Sequence, residues 1–234
     1  DTYTRSDTLS LPDALPILQD RFNMTLEQNK FVARRNIVDT IWKSARLEGL
    51  AVTFPETDAV FNGLPVTMKL NDVLTINNLK RAWYFLLDNL EADADLQYAC
   101  QLNKLVGGDD LVYNAGFPRT IPVQIGGTKW TPGIPDVEEV SQTLQEINQI
   151  PCATQRAITA MLYLTRTQLF LDGNKRSSML YANHIMIQNG CGIISIPEDK
   201  IVEFKTLLVD FYETNEMGQI MQFVYDNAIE GLKF

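Results

Sequence analysis

Apolar side chains recur along most of this chain at intervals of three and four residues, the spacing that places them on one face of an α-helix. Glycines follow several of these periodic stretches and mark helix ends, at Gly49, Gly107 and Gly190. The pattern predicts eight helices, at residues 28–48, 71–89, 96–106, 137–149, 153–169, 174–189, 198–214 and 217–233.

One stretch, residues 111–131, has strand character instead. Valine and isoleucine alternate there, interrupted by Pro122 and by the pair Gly126-Gly127, which predicts one irregular β-hairpin. No repeat and no Gly/Ser-rich linker divides the elements. The sequence therefore predicts a mainly α fold: a single helical domain over residues 18–234 with one β-hairpin.

Residues 1–17 differ from the rest, because they are rich in Ser, Thr, Asp and Pro and show no helical period. Residues 10–17 also differ at one position only from the translation of a common sequencing-adaptor end. We expect this segment to be either a disordered N-terminus or a sequence artefact, and both interpretations assign it no function.

Composition excludes several classes of protein. The net charge of −9 argues against non-specific binding of nucleic acid or of an anionic membrane. No apolar run approaches the ~20 residues that span a bilayer. Three distant cysteines, Cys100, Cys152 and Cys191, indicate reduced thiols in a cytoplasmic protein. No N-terminal stretch combines basic residues, an apolar block and a small-residue cleavage site, so we expect no export signal. A single histidine, His184, excludes a metal site built from several histidines.

The most informative chemistry lies between two predicted helices, in Asp172-Gly173-Asn174-Lys175-Arg176. Gly173 lets the backbone approach a ligand closely, and the first amides of the following helix favour an anion. Lys175 and Arg176 add positive charge. Asp172 suits a divalent metal shared with phosphate groups. The combination indicates a Mg-nucleotide site, and the alternative is a plain turn in which Asn174 is the helix N-cap.

Three motifs together resemble the Fic (Fido) family. Residues 168–176, Gln-Leu-Phe-Leu-Asp-Gly-Asn-Lys-Arg, resemble its signature loop, His-x-Phe-x-Asp/Glu-Gly-Asn-Gly/Lys-Arg. Residues 116–132 resemble its flap hairpin, and residues 44–49, Ser-Ala-Arg-Leu-Glu-Gly, match its inhibitory-helix motif, Ser/Thr-x-x-x-Glu-Gly/Asn. The similarity runs from residue 29 to the C-terminus, and three motifs in the family's order are far more specific than one.

The resemblance implies a Fic-type helical bundle and a nucleotidyltransferase. Fic proteins typically transfer AMP from ATP to a hydroxyl of a target protein, so ATP and Mg²⁺ are the expected cofactors. Asp172 would hold the metal, and the backbone of Gly173 and Asn174 with Lys175 would form the anion hole. Arg176 would contact the phosphates.

The flap and the inhibitory helix imply two further interactions. The flap, about residues 111–131, would pair with an extended segment of a target protein through Val123, Gln124, Ile125, Gly126 and Gly127. The inhibitory helix, about residues 28–49, would obstruct the site through Ser44, Glu48 and Gly49. The simpler alternative is that Gly49 caps a helix and Glu48 is a solvated charge. A homodimer is compatible with the sequence.

Two positions depart from the family pattern. Gln168 replaces the catalytic histidine, and an amide cannot accept the proton of a target hydroxyl. General-base assistance is worth about 10²–10⁴ in rate, and His184 lies four helical turns away. Met179 replaces a second arginine that pairs with the inhibitory glutamate, so Lys175 or Arg176 would have to pair with Glu48.

Three hypotheses therefore follow from the sequence. The chain is a Fic-type adenylyltransferase weakened by loss of the histidine, a nucleotide-binding regulator that has lost the chemistry, or a de-AMPylating phosphodiesterase that uses Glu48 to position water. Gln168 separates the first from the second. Asp172, Lys175 and Arg176 support nucleotide binding in all three.

Overall fold

The structure, a computed structural model, describes residues 16–108 and 111–232. The predicted N-terminal segment, residues 1–17, lies almost entirely outside the described residues. Of its last two residues, Ile17 is exposed, and the buried core begins at the next residue, Leu18. No helix in this part of the chain combines the length and apolarity needed to cross a membrane.

The mainly α prediction is confirmed, since the described residues contain ten α-helices, one 3-10 turn at Glu198–Lys200 and one two-stranded sheet. The helices are α1 (Leu26–Arg35), α2 (Ile37–Leu47), α3 (Phe54–Phe61), α4 (Leu70–Asp88), α5 (Leu96–Gly107), α6 (Val137–Ile147), α7 (Ala153–Thr167), α8 (Asn174–Gln188), α9 (Ile201–Thr214) and α10 (Gly218–Asn227).

The predicted first helix, residues 28–48, is two helices. Asn36 ends α1 and precedes α2, with φ −99° and ψ 6°, outside the helical region. The break leaves α1 with its own buried face, Asn29, Val32 and Ala33, while Phe31 is 57% exposed. The sequence analysis also missed α3, a short helix that begins with a capping box between Thr53 and Glu56.

The two strands are not those that the sequence predicted. Strands β1 (Ile193–Ile194) and β2 (Ile229–Glu230) pair antiparallel, and β2 replaces the end of the helix predicted at 217–233. Residues 111–131, which we call the flap segment, form turns and extended backbone without a paired strand. Side chains of other residues bond its backbone groups, and Pro118 and Pro122 have no N–H to donate.

The centre of the fold is the helix pair α7 and α8, whose residues are almost all buried. Helices α1, α4 and α5 pack against α8, whereas α6 and α10 pack against α7. The loop between α7 and α8 is the predicted signature loop. It therefore connects the two most deeply buried helices, which fixes both of its ends.

The start of the described chain is fastened to the beginning of α7. An oxygen of Asp20 accepts hydrogen bonds from the Thr154 backbone N–H at 2.7 Å and from the Cys152 thiol at 3.4 Å. The Leu18 N–H donates to the Gln155 side chain at 3.3 Å. Asp20 thus caps α7 from outside, because its charge faces the unpaired amides of the first turn.

Candidate active site

Gln168, at the position where the sequence resemblance places a catalytic histidine, ends α7 in the left-handed conformation, with φ 49° and ψ 54°. This conformation is uncommon for a residue other than glycine. Its side-chain N–H₂ donates to the Thr165 carbonyl at 2.7 Å, and its side-chain oxygen accepts from Asn174 at 3.1 Å. Both ends of the Gln168 amide are therefore bonded to the protein.

Asn174 closes the loop on itself. Its buried side chain accepts a hydrogen bond from the Phe170 N–H at 2.9 Å and donates to the Phe170 carbonyl at 2.9 Å. The helix N-cap is Gly173, with φ 78°, so the alternative that made Asn174 the N-cap is wrong. The Asn174 side chain holds the turn that brings Phe170 back into the core. The backbone amide of Asn174 itself lies in the first turn of α8.

A residue of α5, Asn103, fixes the middle of the loop. Its side chain donates to the Asp172 carbonyl at 2.9 Å and accepts from the Gly116 N–H at 2.9 Å. A Cβ at Gly173 would lie 3.0 Å from the Asn103 amide nitrogen, at a positive φ that disfavours other residues. Sequence reasoning missed Asn103, because no local pattern shows that α5 reaches this loop.

Asp172 and Arg176 form the charged edge of the loop. The Asp172 side chain is 62% exposed and accepts from the Gly173 N–H at 2.5 Å and from the Arg176 guanidinium at 3.3 Å. Arg176 is almost fully buried, and its Nε has no hydrogen-bond partner in the described part of the chain. Arg176 therefore has donor capacity beyond its bond to Asp172, which suits an anion bound at this edge.

The groups at this edge of the loop could together hold a metal-bound nucleotide. The first amides of α8, from Asn174 onward, have no carbonyl partner within the helix and carry its partial positive charge. Asp172 supplies one exposed carboxylate. No group of three His, Cys, Asp or Glu side chains among the described residues is placed to hold a metal. A magnesium ion here would use Asp172 together with phosphate oxygens and water, as Mg²⁺ commonly does.

The end of α2 reaches this loop through an ion pair. Glu48, the C-terminal cap of α2, has a carboxylate oxygen 3.6 Å from the Lys175 ammonium group, and its side chain is 16% exposed. Gly49 follows with φ 90°, and the Ser44 carbonyl accepts the Glu48 N–H at 3.2 Å. Glu48 is not a freely solvated charge. Of the two partners that the sequence left open, the structure gives Lys175.

Met179 has no direct part in this contact. It is buried in the core cluster on α8, where the family pattern would place a second arginine. The site thus contains two cations, Lys175 and Arg176, and two carboxylates, Asp172 and Glu48. A bound triphosphate would have to displace Glu48 from Lys175, while a metal ion would neutralise Asp172.

The flap segment is held beside the loop by α9. Glu213 accepts hydrogen bonds from the Thr128 hydroxyl and the Lys129 backbone N–H, both at 3.1 Å, and these bonds keep the pKa of Glu213 below its ordinary value. Trp130 stacks on Tyr212, with ring centroids 5.8 Å apart and an interplanar angle of 6°. The flap therefore ends in a stacked contact and not in a strand pair.

The predicted target-binding residues lie between these anchors. Val123 and Ile125 are half-buried, whereas Gln124, Gly126 and Gly127 are exposed. This alternation suits an extended segment whose outer edge is available to another chain, although the flap lacks a partner strand of its own.

Tyr212 connects the flap to the loop. Burial raises the pKa of the Tyr212 phenol, which lies within reach of the Gln168 side chain and the charge of Glu48. Its backbone carbonyl accepts a bond from Arg166 at 3.2 Å, and the Arg166 guanidinium lies 4.3 Å from the Trp130 ring centroid. No sequence pattern indicates that Tyr212 reaches the loop, because α9 follows the signature loop by many residues.

His184 does not take part in the site. It is fully buried on α8, with its Nε2 2.9 Å from the Ala92 carbonyl and its ring 4.1 Å from that of Tyr98. Burial lowers the pKa of His184. His184 is thus a packed residue of α8 with a ring nitrogen bonded to the Ala92 carbonyl.

Comparison with solved structures identifies the fold. The chain superposes on Fic-1 from C. elegans with a TM-score of 0.72 and 18% identity, over 84% of this chain and 62% of that one. A Fic domain-containing signalling protein from Bacteroides thetaiotaomicron gives a TM-score of 0.68 and 17% identity, over 87% of this chain and 85% of that one. A Fic family protein from Desulfovibrio desulfuricans gives a TM-score of 0.68 and 16% identity, over 82% of this chain and 62% of that one.

These likenesses confirm that the chain has the Fic-type helical fold predicted from its motifs. No protein-family model matches the chain, and no curated protein is significantly similar in sequence. The chain spans 62% of the length of the C. elegans protein that it resembles.

Proposed function

We propose that this chain is a Fic-type protein adenylyltransferase that binds Mg-ATP at residues 168–176, with AMP transfer greatly weakened by Gln168. One observation carries the proposal. The exposed carboxylate of Asp172, the buried guanidinium of Arg176 and the free amides at the start of α8 converge on one edge of a rigid loop.

The rigidity of the loop supports nucleotide binding. Three hydrogen bonds of 2.9 Å hold its backbone, one from Asn103 to Asp172 and two between Asn174 and Phe170, and a fourth of 2.9 Å joins Asn103 to Gly116 in the flap segment. Donors fixed before a ligand arrives lose little entropy on binding, so a preformed anion site gains affinity.

AMP transfer is weakened because residue 168 cannot act as a base. A target hydroxyl attacks the α-phosphate of ATP, its proton must be accepted, and pyrophosphate leaves. A neutral amide does not accept that proton at pH 7. Loss of general-base assistance lowers the rate by about 10²–10⁴, whereas Asp172 and Arg176 keep their role in holding metal and phosphates.

A second candidate function is a nucleotide-binding regulator without transfer activity. The bonds of Gln168 favour it, since the amide contacts the Thr165 carbonyl and Asn174 and so has a structural role at the end of α7. In this case the nucleotide would stabilise one arrangement of the flap segment without being consumed.

Incubation with ATP labelled on the α-phosphate tests these proposals. Wild type, Gln168→His and the control Gln168→Ala are incubated with Mg²⁺, and label retained on protein is counted. We expect Gln168→His to exceed wild type tenfold or more, with no label retained from ATP labelled on the γ-phosphate. Binding without transfer in any variant would favour the regulator, and label from the γ-phosphate would contradict AMP transfer.

A further inference from the structure

Arg119 is a buried arginine whose three guanidinium nitrogens all donate hydrogen bonds to backbone carbonyl groups. It is 2% exposed. Its Nε donates to the Gln168 carbonyl at 2.6 Å, one terminal nitrogen donates to the Ile121 carbonyl at 2.8 Å, and the other donates to the Gly133 carbonyl. The Arg119 backbone N–H also donates to the Leu169 carbonyl at 2.9 Å.

The three acceptors belong to the two halves of the proposed site. Gln168 begins the signature loop, Ile121 lies in the flap segment just before its target-binding residues, and Gly133 lies just after the segment ends. One guanidinium group thus joins both sides of the flap to residue 168. The planar group offers its donors in fixed directions, so it sets distance and orientation together.

Because the charge of Arg119 is buried, its hydrogen bonds are needed to offset the loss of hydration. Burial lowers the pKa of Arg119, because the charged form is removed from water. A charged group without solvent is tolerated only when its donors are satisfied. Each of the three guanidinium nitrogens has a backbone carbonyl partner here, and these carbonyls come from the flap, its end and the loop. Separating the flap from the loop would therefore leave a buried charge with fewer partners.

The other end of the flap has a separate anchor. Glu213 holds Thr128 and Lys129, whereas a Cβ at Gly126 or Gly127 would meet no atom within 4 Å. The flap is therefore fixed at its base by Arg119 and at residues 128–129 by Glu213. Between the anchors, residues 122–127 keep an open edge.

We propose that Arg119 is a positioning residue, which holds the flap segment in register with residue 168. The hydroxyl of a target segment paired with the flap would then lie next to the α-phosphate of the nucleotide. This role in the reaction rests on the proposed function. The anchoring itself is a property of the protein without nucleotide and is measured separately.

Limited trypsin digestion followed by mass spectrometry tests the anchoring. Cleavage after Lys129 requires the residues on both sides of that bond to unfold, so the Gly133 carbonyl must leave Arg119 and residues 128–129 must leave Glu213. Its rate therefore reports on flap mobility, and cleavage after Lys80, within α4, reports on global unfolding. We expect Arg119→Met to speed cleavage after Lys129 by tenfold or more with cleavage after Lys80 unchanged. Arg119→Lys, which keeps charge and some donors, should give an intermediate rate and also serves if Arg119→Met does not fold.

Two comparisons separate positioning from a general structural role. Arg156→Met is the matched control, because Arg156 also donates to a backbone carbonyl, that of Ile150 at 2.9 Å, away from the flap. It should leave cleavage after Lys129 unchanged. Calorimetry with Mg-ATP should give affinities within about threefold for wild type and both Arg119 variants, since Asn103 and Asn174 hold the phosphate-binding turn.

Three results would overturn the inference: unchanged cleavage after Lys129, equal acceleration after Lys129 and Lys80, or loss of nucleotide affinity in step with flap cleavage. The last result would mean that Arg119 supports the signature loop, residues 168–176, and not the flap. Failure of wild type to bind Mg-ATP would instead refute the proposed function, and the digestion rates would still decide whether Arg119 anchors the flap.

Discussion

The Lys175 ammonium group, in the first turn of α8, lies 3.6 Å from a carboxylate oxygen of Glu48 at the end of α2. This contact places an anion of the protein where a phosphate group would be expected to bind. Because the Lys175 side chain is 33% exposed, the pair contributes little to stability. If a nucleotide binds as proposed, its phosphate would compete with Glu48 for Lys175.

The first prediction concerns this competition. Glu48→Gln removes the charge and keeps the shape, so Lys175 becomes available to phosphate. We expect the affinity for Mg-ATP, measured by calorimetry, to rise by about twofold to fivefold, the scale of a partly exposed charge pair. Glu27→Gln is a control, because Glu27 pairs with Lys30 on α1. Equal affinities for wild type and Glu48→Gln would show that Glu48 does not obstruct the site.

The second prediction concerns the obstruction and the missing base together. Glu48→Gly alone should change AMP transfer little, since Gln168 still cannot accept a proton. Gln168→His combined with Glu48→Gly should exceed the sum of the two separate free-energy effects, because each defect masks the other. Met179 makes the obstruction weaker than a second arginine would, so most of the gain should come from Gln168→His.

Rates of label transfer from ATP measure this double-mutant cycle. A large activation by Glu48→Gly in the Gln168 background would contradict the account. The chain would then use a base other than residue 168.

Part of this architecture was predictable from sequence because the signals are local. The apolar spacing in α4 and α5, and the glycines that flank α8, Gly173 and Gly190, specified those helices to within about one residue. The loop from Asp172 to Arg176 was also recognisable, because a glycine, a helix start and charged side chains are neighbours in the chain.

The remaining features depend on partners from distant segments. Asn103 and Tyr212 reach the loop from α5 and α9, and nothing in their sequence neighbourhoods indicates it. The flap was predicted as a hairpin from its valines and isoleucines. Arg119 and Glu213 instead bond its backbone groups, which replaces a strand partner.

The third prediction tests how Asn103 supports the site. Asn103→Leu is similar in size but removes the bonds to the Asp172 carbonyl and the Gly116 N–H. Two backbone groups would lose partners, so the free energy of unfolding should fall by about 1–3 kcal/mol. Affinity for Mg-ATP should fall with it. Asn89→Leu, at the exposed end of α4, is the control. Unchanged stability and affinity in Asn103→Leu would show that the loop does not depend on α5.

The fourth prediction concerns pH and the cap of α7. Burial alone would raise the pKa of Asp20, but hydrogen bonds from Thr154 and Cys152 outweigh it and hold the pKa below its ordinary value of 3.8. A carboxyl whose pKa is lowered by folding stabilises the fold above its unfolded pKa. That contribution disappears as the pH falls through the lower, folded value.

Asp20→Ala should therefore lower the free energy of unfolding by about 1 kcal/mol at pH 7. Urea denaturation should show this difference from wild type shrinking as the pH falls below about 4. Asp210→Ala, at an exposed position of α9, is the control. A difference that stays constant down to pH 2 would mean that the charge of Asp20 does not act as the cap.

The central claim is that residues 172–176 bind a metal-bound nucleotide, and calorimetry with Mg-ATP tests it most directly. Arg176→Ala removes a buried charged donor, so we expect it to cost about 1.5–3 kcal/mol, a loss of tenfold or more in affinity. Asp172→Ala should weaken binding in the presence of Mg²⁺ and make it less dependent on the metal. The control Arg35→Ala, on the exposed face of α1, should bind as wild type does. Unchanged affinity in both Arg176→Ala and Asp172→Ala would contradict the account.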